Sequence, residues 1–196
     1  MATAGITAAL RYHARRPGRP RGTLPAVTDS PWITRLAVPE DGTFMGDMLV
    51  EATNWSPKRK PKSREQVFST PKTAHYIAGW PRDTDLGVIA EANGERIGAA
   101  WLRFLSATDP GYGFVAPDVP ELTIGVAAPW RGRGVGRALL QAMADQAVST
   151  GIAQISLSVE RKNHAQKLYL SEGYRIVDSS DTDSDTMIKN LNDVAG

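Results

Sequence analysis

Apolar residues alternate with serines in QISLSVE, Gln154 to Glu160, where Ile155, Leu157 and Val159 share one side. That period predicts a strand with one well-buried face. Val135, Leu139 and Met143 step by four instead, with Ala138 and Ala142 beside them, which predicts a helix with an apolar stripe for a sheet, ended by Thr150-Gly151. Leu86 to Ala92 and Arg96 to Phe104 flank Asn93-Gly94, a dipeptide suited to the positive φ angles of a type I′ turn. They predict a hairpin. Upstream, WITRLAV (Trp32 to Val38) predicts a first strand, and Phe44, Met48 and Leu49 recur at helical spacing after it. A Pro-bounded loop with Lys58, Arg59, Lys60 and Lys62 leads to a polar helix or two short ones reaching about Trp80. The stretch SATDPGYGFVAPDVP predicts a long irregular loop, which either covers a pocket or caps a sheet edge. Near the end, Asn163 and Gln166 form a variant capping box for a short helix closed by Gly173. Arg175 to Val177 and Thr186 to Leu191 predict the last strands, separated by the acidic turn SSDTDSD.

The chain has 196 residues, enough for one domain with a full core. Its 41% hydrophobic and 22% charged content is that of a soluble globular protein, and no apolar run approaches the ~20 residues of a membrane span. The absence of cysteine excludes disulfides, thiolate metal sites and a cysteine acyl-enzyme, and three scattered histidines form no ligand pattern. No metal site is expected. The net charge of +2 is unevenly placed: residues 1 to 72 carry twelve Lys and Arg against six Asp and Glu. Residues 1–30 read as a basic mobile arm and 31–196 as a single domain. The arm is expected to be a solvated tail; a nucleic-acid or membrane-surface tether, or a targeting peptide, is the other reading. A cytoplasmic protein with no membrane contact is expected, and a homodimer is left open.

The stretch ELTIGVAAPWRGRGVG, Glu121 to Gly136, reads as a strand, a glycine- and arginine-rich turn and a helix start. A helix N-terminus offers unpaired N–H groups and the positive end of the helix dipole, so it suits a phosphate. Gly132, Gly134 and Gly136 keep side chains away from those groups, and Arg131, Arg133 and Arg137 add positive charge. The spacing is not that of a P-loop, because Gly136 is followed by Arg137 and Ala138 in place of Lys and Ser or Thr. Nor is it G-x-G-x-x-G, since Leu139 stands at the third glycine. Arg131-x-x-Gly134-x-Gly136 resembles the acetyl-coenzyme A loop of the GNAT superfamily of N-acyltransferases. A second segment resembles the same superfamily: a strand ending in Val159, then Asn163, Ala165, Leu168, Tyr169, Gly173 and the aromatic Tyr174.

The resemblance implies an α/β (α+β) fold with a mixed, mostly antiparallel sheet of six to seven strands and about four helices. It also implies a splay between the fourth and fifth strands, near Val126 and Val159. Carried over, the backbone of Val126, Ala127 and Ala128 would meet the pantetheine arm like an added strand. The N–H groups of Arg131, Gly132, Arg133, Gly134, Val135 and Gly136, beside Arg137, would hold the pyrophosphate. Asn163 would contact the coenzyme, and the Tyr169 hydroxyl would sit near the sulfur. Pro129 stands one position later than the superfamily usually has it.

The implied activity is transfer of an acetyl group from acetyl-coenzyme A to a primary amine, in a ternary complex. A general base or a water chain must take the amine's proton. Glu121, at the start of the fourth strand, is the candidate; an exposed strand-end glutamate is the other reading. Tyr169 would protonate the leaving thiolate, or is a core aromatic. Trp55, Tyr76, Trp80, Tyr112 and Phe114 are candidates to line an acceptor pocket. A small-molecule amine is the expected acceptor and a peptide or protein amine the alternative. The rival of another class is a catalytically silent acyl-coenzyme A binding module.

Overall fold

Residues 31–192 are described in this computed structural model, and the stretch read above as an arm lies outside them. The strands are β1 (Ile33–Leu36), β2 (Leu86–Ala92), β3 (Glu95–Arg103), β4 (Glu121–Val126), β5 (Gln154–Glu160), β6 (Arg175–Asp178) and β7 (Ser184–Asn190). The helices are α1 (Gly42–Thr53), α2 (Arg64–Phe68), α3 (Pro71–Ala74), α4 (Val135–Ser149) and α5 (Ala165–Ser171). One sheet runs β1-β2-β3-β4-β5-β7-β6, antiparallel except where β4 meets β5. The mixed, mostly antiparallel sheet expected from the sequence is present.

Local chemistry accounts for the elements. Asn93 and Gly94 take φ of 51° and 79°, which closes the β2–β3 hairpin. The polar stretch after the basic loop becomes two short helices. Ser63 and Gln66 form a reciprocal cap at the start of α2, and Pro71, which has no N–H to donate, begins a separate turn as α3. Val135, Leu139 and Met143 are buried beneath α4 with Leu140 and Ala147, as the four-residue step predicts. The two sheet faces bury separate cores. Under α4 lie Val88, Ala100, Leu102, Ile155 and Leu157, whereas α1 covers Ile89, Ala99, Trp101 and Leu105. At Gly125 an added Cβ would stand 2.3 Å from the Met48 carbonyl oxygen, so glycine lets the α1 backbone rest on β4.

Two local expectations change. The first strand is shorter than Trp32 to Val38, and β7 begins at Ser184, inside the acidic turn. The Asn163–Gln166 capping box does not form, because buried Asp185 draws the Gln166 amide away with a 2.7 Å hydrogen bond. Asp185 also accepts from Arg161 and Ser179, each at 2.7 Å, and these donors hold its carboxyl below the usual range. Asn163 still caps the turn by accepting from the Ala165 N–H at 2.9 Å.

The feature that positions the site is the β4–β5 junction. These parallel neighbours register at one position, Glu121 opposite Ser156, and then diverge. The Ala127 N–H donates to Ile97 O of the β3 side at 2.9 Å. In an antiparallel pair, bonding direction alternates by residue, so the N–H and C=O groups of Ile124 and Val126 face the gap left by β5.

Candidate active site

The divergence opens a cleft of about 980 Å³, walled by β4, β5, the start of α4, α5 and the loop after α1. At one end lies the glycine-rich turn. Gly132 and Gly134 have φ of 72° and 90°, and Gly134 is the residue before the first turn of α4. The first helical bond is Ala138 N–H to Gly134 O, and the N–H groups from Gly132 to Arg137 find no partner among the described residues. Nothing lies within 4 Å of the Cβ position of Gly132. This row of unpaired donors, with the helix dipole behind it, forms a cradle for an anion. The row starts one residue after Arg131, whose own N–H is used by Ala128 O at 3.3 Å.

The three arginines expected around one point divide instead. Arg131 pairs with Glu51 of α1 and donates through Nε to Val126 O at 3.0 Å. Arg137 pairs with Glu172 and donates to Ser171 Oγ, which ties α4 to the end of α5. Arg133 lies over the Trp130 ring, 5.4 Å from its centroid, and Trp130 meets Trp32 edge-on. Of the three, Arg133 is the one without a carboxylate partner among the described residues. Val126, Gly132, Gly134, Gly136, Arg131, Arg137, Asn163 and Tyr169 all border the cleft. Ala127 and Ala128 do not: Ala127 pairs toward β3, and Ala128 lies in the short helical turn before Arg131.

Glu121 is 3% exposed, which removes the reading of an exposed strand-end residue. Its Oε1 accepts from the Tyr76 hydroxyl and from the Gly113 N–H, both at 2.7 Å. Its Oε2 is buried with no partner among the described residues. An added Cβ at Gly111 would stand 2.0 Å from that oxygen, so glycine is needed where the 105–120 loop crosses the carboxylate. Burial raises the Glu121 carboxyl to about 7, opposed by the Tyr76 and Gly113 hydrogen bonds and by Lys72. A carboxyl that exchanges its proton near neutrality in a cleft wall is suited to acid–base chemistry. Of the aromatic candidates, Trp55, Tyr76 and Tyr112 line the cleft; Trp80 packs against Gly42 and Gly87 elsewhere, and Phe114 joins the α1 core.

On the other wall, Tyr169 is 8% exposed, packs edge-on against Tyr174, and its hydroxyl has no hydrogen-bond partner among the described residues. Burial lifts its phenol to about 12, so it holds its proton at neutral pH.

Residues 49–174 match the family described as Acetyltransferase (GNAT) family. The chain belongs to this family. It is therefore an acyltransferase, and the family's cosubstrate is acetyl-coenzyme A. No curated protein matches the sequence. Among solved structures, the acetyltransferase is similar to PaiA N-acetyltransferase from Thermoplasma acidophilum in complex with coenzyme A, at 17% identity and a TM-score of 0.57, covering 81% of this chain and 98% of that one. It is similar to ribosomal-protein-alanine N-acetyltransferase from Brucella melitensis at 21% identity and 0.59, over 81% and 99% of the two chains. A third, YncA from Salmonella typhimurium with acetyl-CoA, shares 19% identity with a TM-score of 0.58 over 85% and 98%. These likenesses establish the fold of the acetyltransferase.

Three features of its site had no signal in the sequence. The Tyr76–Glu121 bond joins residues 45 positions apart, the Gly113 N–H comes from an irregular loop, and Trp55 donates to Glu160 across 105 positions. The aromatic character of Tyr76 and Trp55 marked them as candidates, but not their partners.

Proposed function

We propose that this acetyltransferase moves the acetyl group of acetyl-coenzyme A directly to a primary amine, with Glu121 as general base and Tyr169 as general acid. The observation that carries the reading is the buried Glu121 carboxyl, raised to about 7 in the wall of the β4–β5 gap. The residues present fit the cosubstrate. The N–H row from Gly132 to Arg137 receives the pyrophosphate, Arg133 supplies charge beside it, and the gap-facing backbone of Val126 pairs with the pantetheine arm. The bound thioester supplies an activated acetyl carbon and a thiolate leaving group.

The amine arrives protonated and must lose that proton before its nitrogen forms the new C–N bond as the C–S bond breaks. Glu121 receives the proton. Because its carboxylate is covered by Tyr76 and the Gly111–Gly113 segment, transfer runs through the Tyr76 hydroxyl or a solvent molecule in the cleft. Tyr169 lines the opposite wall, and its hydroxyl donates its proton to the departing sulfur. Asn163, already fixed by its bond to Ala165, borders the coenzyme side. The acceptor enters from the α1 face, past Trp55, Tyr76 and Tyr112, and the small-molecule reading is kept because those side chains enclose a cleft.

The pH dependence follows from the sign of the Glu121 shift. The base works only when deprotonated, so kcat/KM for an acceptor that does not itself titrate nearby rises through about pH 7. The Tyr76 hydrogen bond lowers this value, so Tyr76→Phe moves the limb to higher pH; a limb that stays in place detaches Glu121 from the rate. Tyr169→Phe should lower kcat by roughly tenfold to a hundredfold while the coenzyme Kd changes little. Equal turnover would return Tyr169 to the core. The general test is coenzyme release across amines, amino acids, polyamines and short peptides, with direct titration of acetyl-coenzyme A. Binding without turnover on any of them would favour the silent binding module.

A further inference from the structure

The loop between α1 and α2 is built, and it presents cations to the cleft. Asn54 at the end of α1 clamps the loop's far end from both sides: Nδ2 donates to Lys62 O at 2.9 Å, and the Lys62 N–H donates to Oδ1 at 2.8 Å. Across the gap, Glu160 at the end of β5 accepts from Trp55 Nε1 at 3.0 Å and pairs with Arg59. Arg59 lies over the Trp55 ring at 5.2 Å. The loop is thus tied to both sides of the split, and Pro57 and Pro61 stiffen it further. This frame holds Lys60 and Lys62 in the cleft wall.

The charges around them are otherwise matched. Glu51 pairs with Arg131, Glu160 with Arg59, and Arg137 with Glu172, while Glu121 is turned into its bond with Tyr76. Lys60 and Lys62 pair with no carboxylate among the described residues. Asp183 and Asp181 in the turn before β7 act on Arg59 and Glu160 through space, but neither lines the cleft. The cradle at the start of α4 borders the same cleft, while the lysines belong to the loop after α1, so coenzyme affinity is the readout that separates an acceptor contact from a coenzyme contact. Two unmatched, solvent-exposed ammonium groups on the wall of a cleft attract an anion to it.

We infer that the acceptor amine carries a carboxylate or phosphate group, bound by Lys60 and Lys62 while its amino group reaches toward Glu121. This rests on the acetyltransferase reading of the cleft. Neighbouring Arg59 is committed to Glu160, so the lysines are the specificity-determining pair.

The test uses the full chain and matched acceptors: phenylalanine against phenylalaninamide, and O-phosphoethanolamine against ethanolamine. The anionic member of at least one pair is expected to have the higher kcat/KM by about tenfold or more, the scale of a charge-assisted hydrogen bond. The double variant Lys60→Ala, Lys62→Ala should erase that preference while acetyl-coenzyme A affinity stays within roughly threefold. Equal rates on both members, or a preference that survives in the variant, overturn the inference and leave the acetyltransferase reading standing. A loss of acetyl-coenzyme A affinity in the variant that is absent with dephospho-coenzyme A assigns the lysines to the coenzyme and also overturns it. If no acceptor reacts, NMR titration of the acetyl-coenzyme A complex with inorganic phosphate decides: shifts centred on Lys60 and Lys62, lost in the variant, support the anion site, and their absence overturns it. Failure of acetyl-coenzyme A to bind the folded wild-type protein sinks the acetyltransferase reading and this inference together.

Discussion

Glu121→Gln is expected to lower kcat on the amine acceptor by roughly 10²- to 10⁴-fold, the usual contribution of a positioned general base. Glutamine keeps an oxygen for the Tyr76 hydroxyl and the Gly113 N–H, so the wall of the cleft persists. What it loses is proton affinity near neutrality. The same substitution has an opposite signature in stability. A carboxyl raised from 4.5 to about 7 by burial binds its proton more tightly in the folded chain than in the unfolded one. Stability from this group is therefore present below pH 4.5 and falls as pH rises to 7, by roughly 3 kcal/mol in total. At pH 8 the glutamine variant should be at least as stable as wild type by thermal unfolding, although its new amide hydrogens take the place of a buried oxygen that has no partner. Activity retained within threefold would remove Glu121 from the proton path. A variant that is inactive and unfolded at pH 8 would show the residue to be structural.

Gly134→Asp is expected to weaken acetyl-coenzyme A binding by more than about a hundredfold, because it sets a carboxylate against the pyrophosphate in the mouth of the cradle. Gly134 has φ of 90°, a conformation that strains any side chain, so charge and strain must be separated. Gly134→Asn supplies the control. It has nearly the same shape and the same backbone strain without the charge, and space exists for either, since the nearest atom to an added Cβ is in the Trp32 ring at 3.6 Å. Calorimetric titration should find the asparagine variant within about tenfold of wild type and the aspartate variant far weaker. Equal affinities for the two variants would show that no phosphate sits at Gly134.

Much of the architecture was legible because it depends on short-range rules. Asn93-Gly94 specifies its own turn, the four-residue step from Val135 specifies α4, and Gly151 and Gly173 take the positive φ angles that end their helices. The glycine spacing after β4 likewise placed the N–H row within one residue, because a helix start leaves those donors free wherever it occurs. The arginines were a different matter. Their sequence proximity suggested one cluster, yet Glu51 and Glu172, distant in the chain, draw Arg131 and Arg137 away from it. The Asn163–Gln166 cap failed for the same reason, since Asp185 of β7 competes for the glutamine amide and is buried too deeply to leave without donors.

Taken alone, the sequence determined the order of elements, the hairpin, the row of free N–H groups at the start of α4 and the family resemblance, because periodicity, turn chemistry and helix ends act within a few residues of the chain. Tertiary structure decided the rest of the chemistry. The protonation behaviour of Glu121 comes from burial beneath Gly111 and from Tyr76 and Gly113, which only the fold brings to it. Which cations keep no carboxylate partner among the described residues was likewise decided by packing, as Glu51 of α1, Glu172 just after α5 and Glu160 of β5 pair with Arg131, Arg137 and Arg59 and leave Lys60 and Lys62 in the cleft wall. Desolvation and ion pairing depend on distances between atoms, and a residue's place in the chain does not contain them.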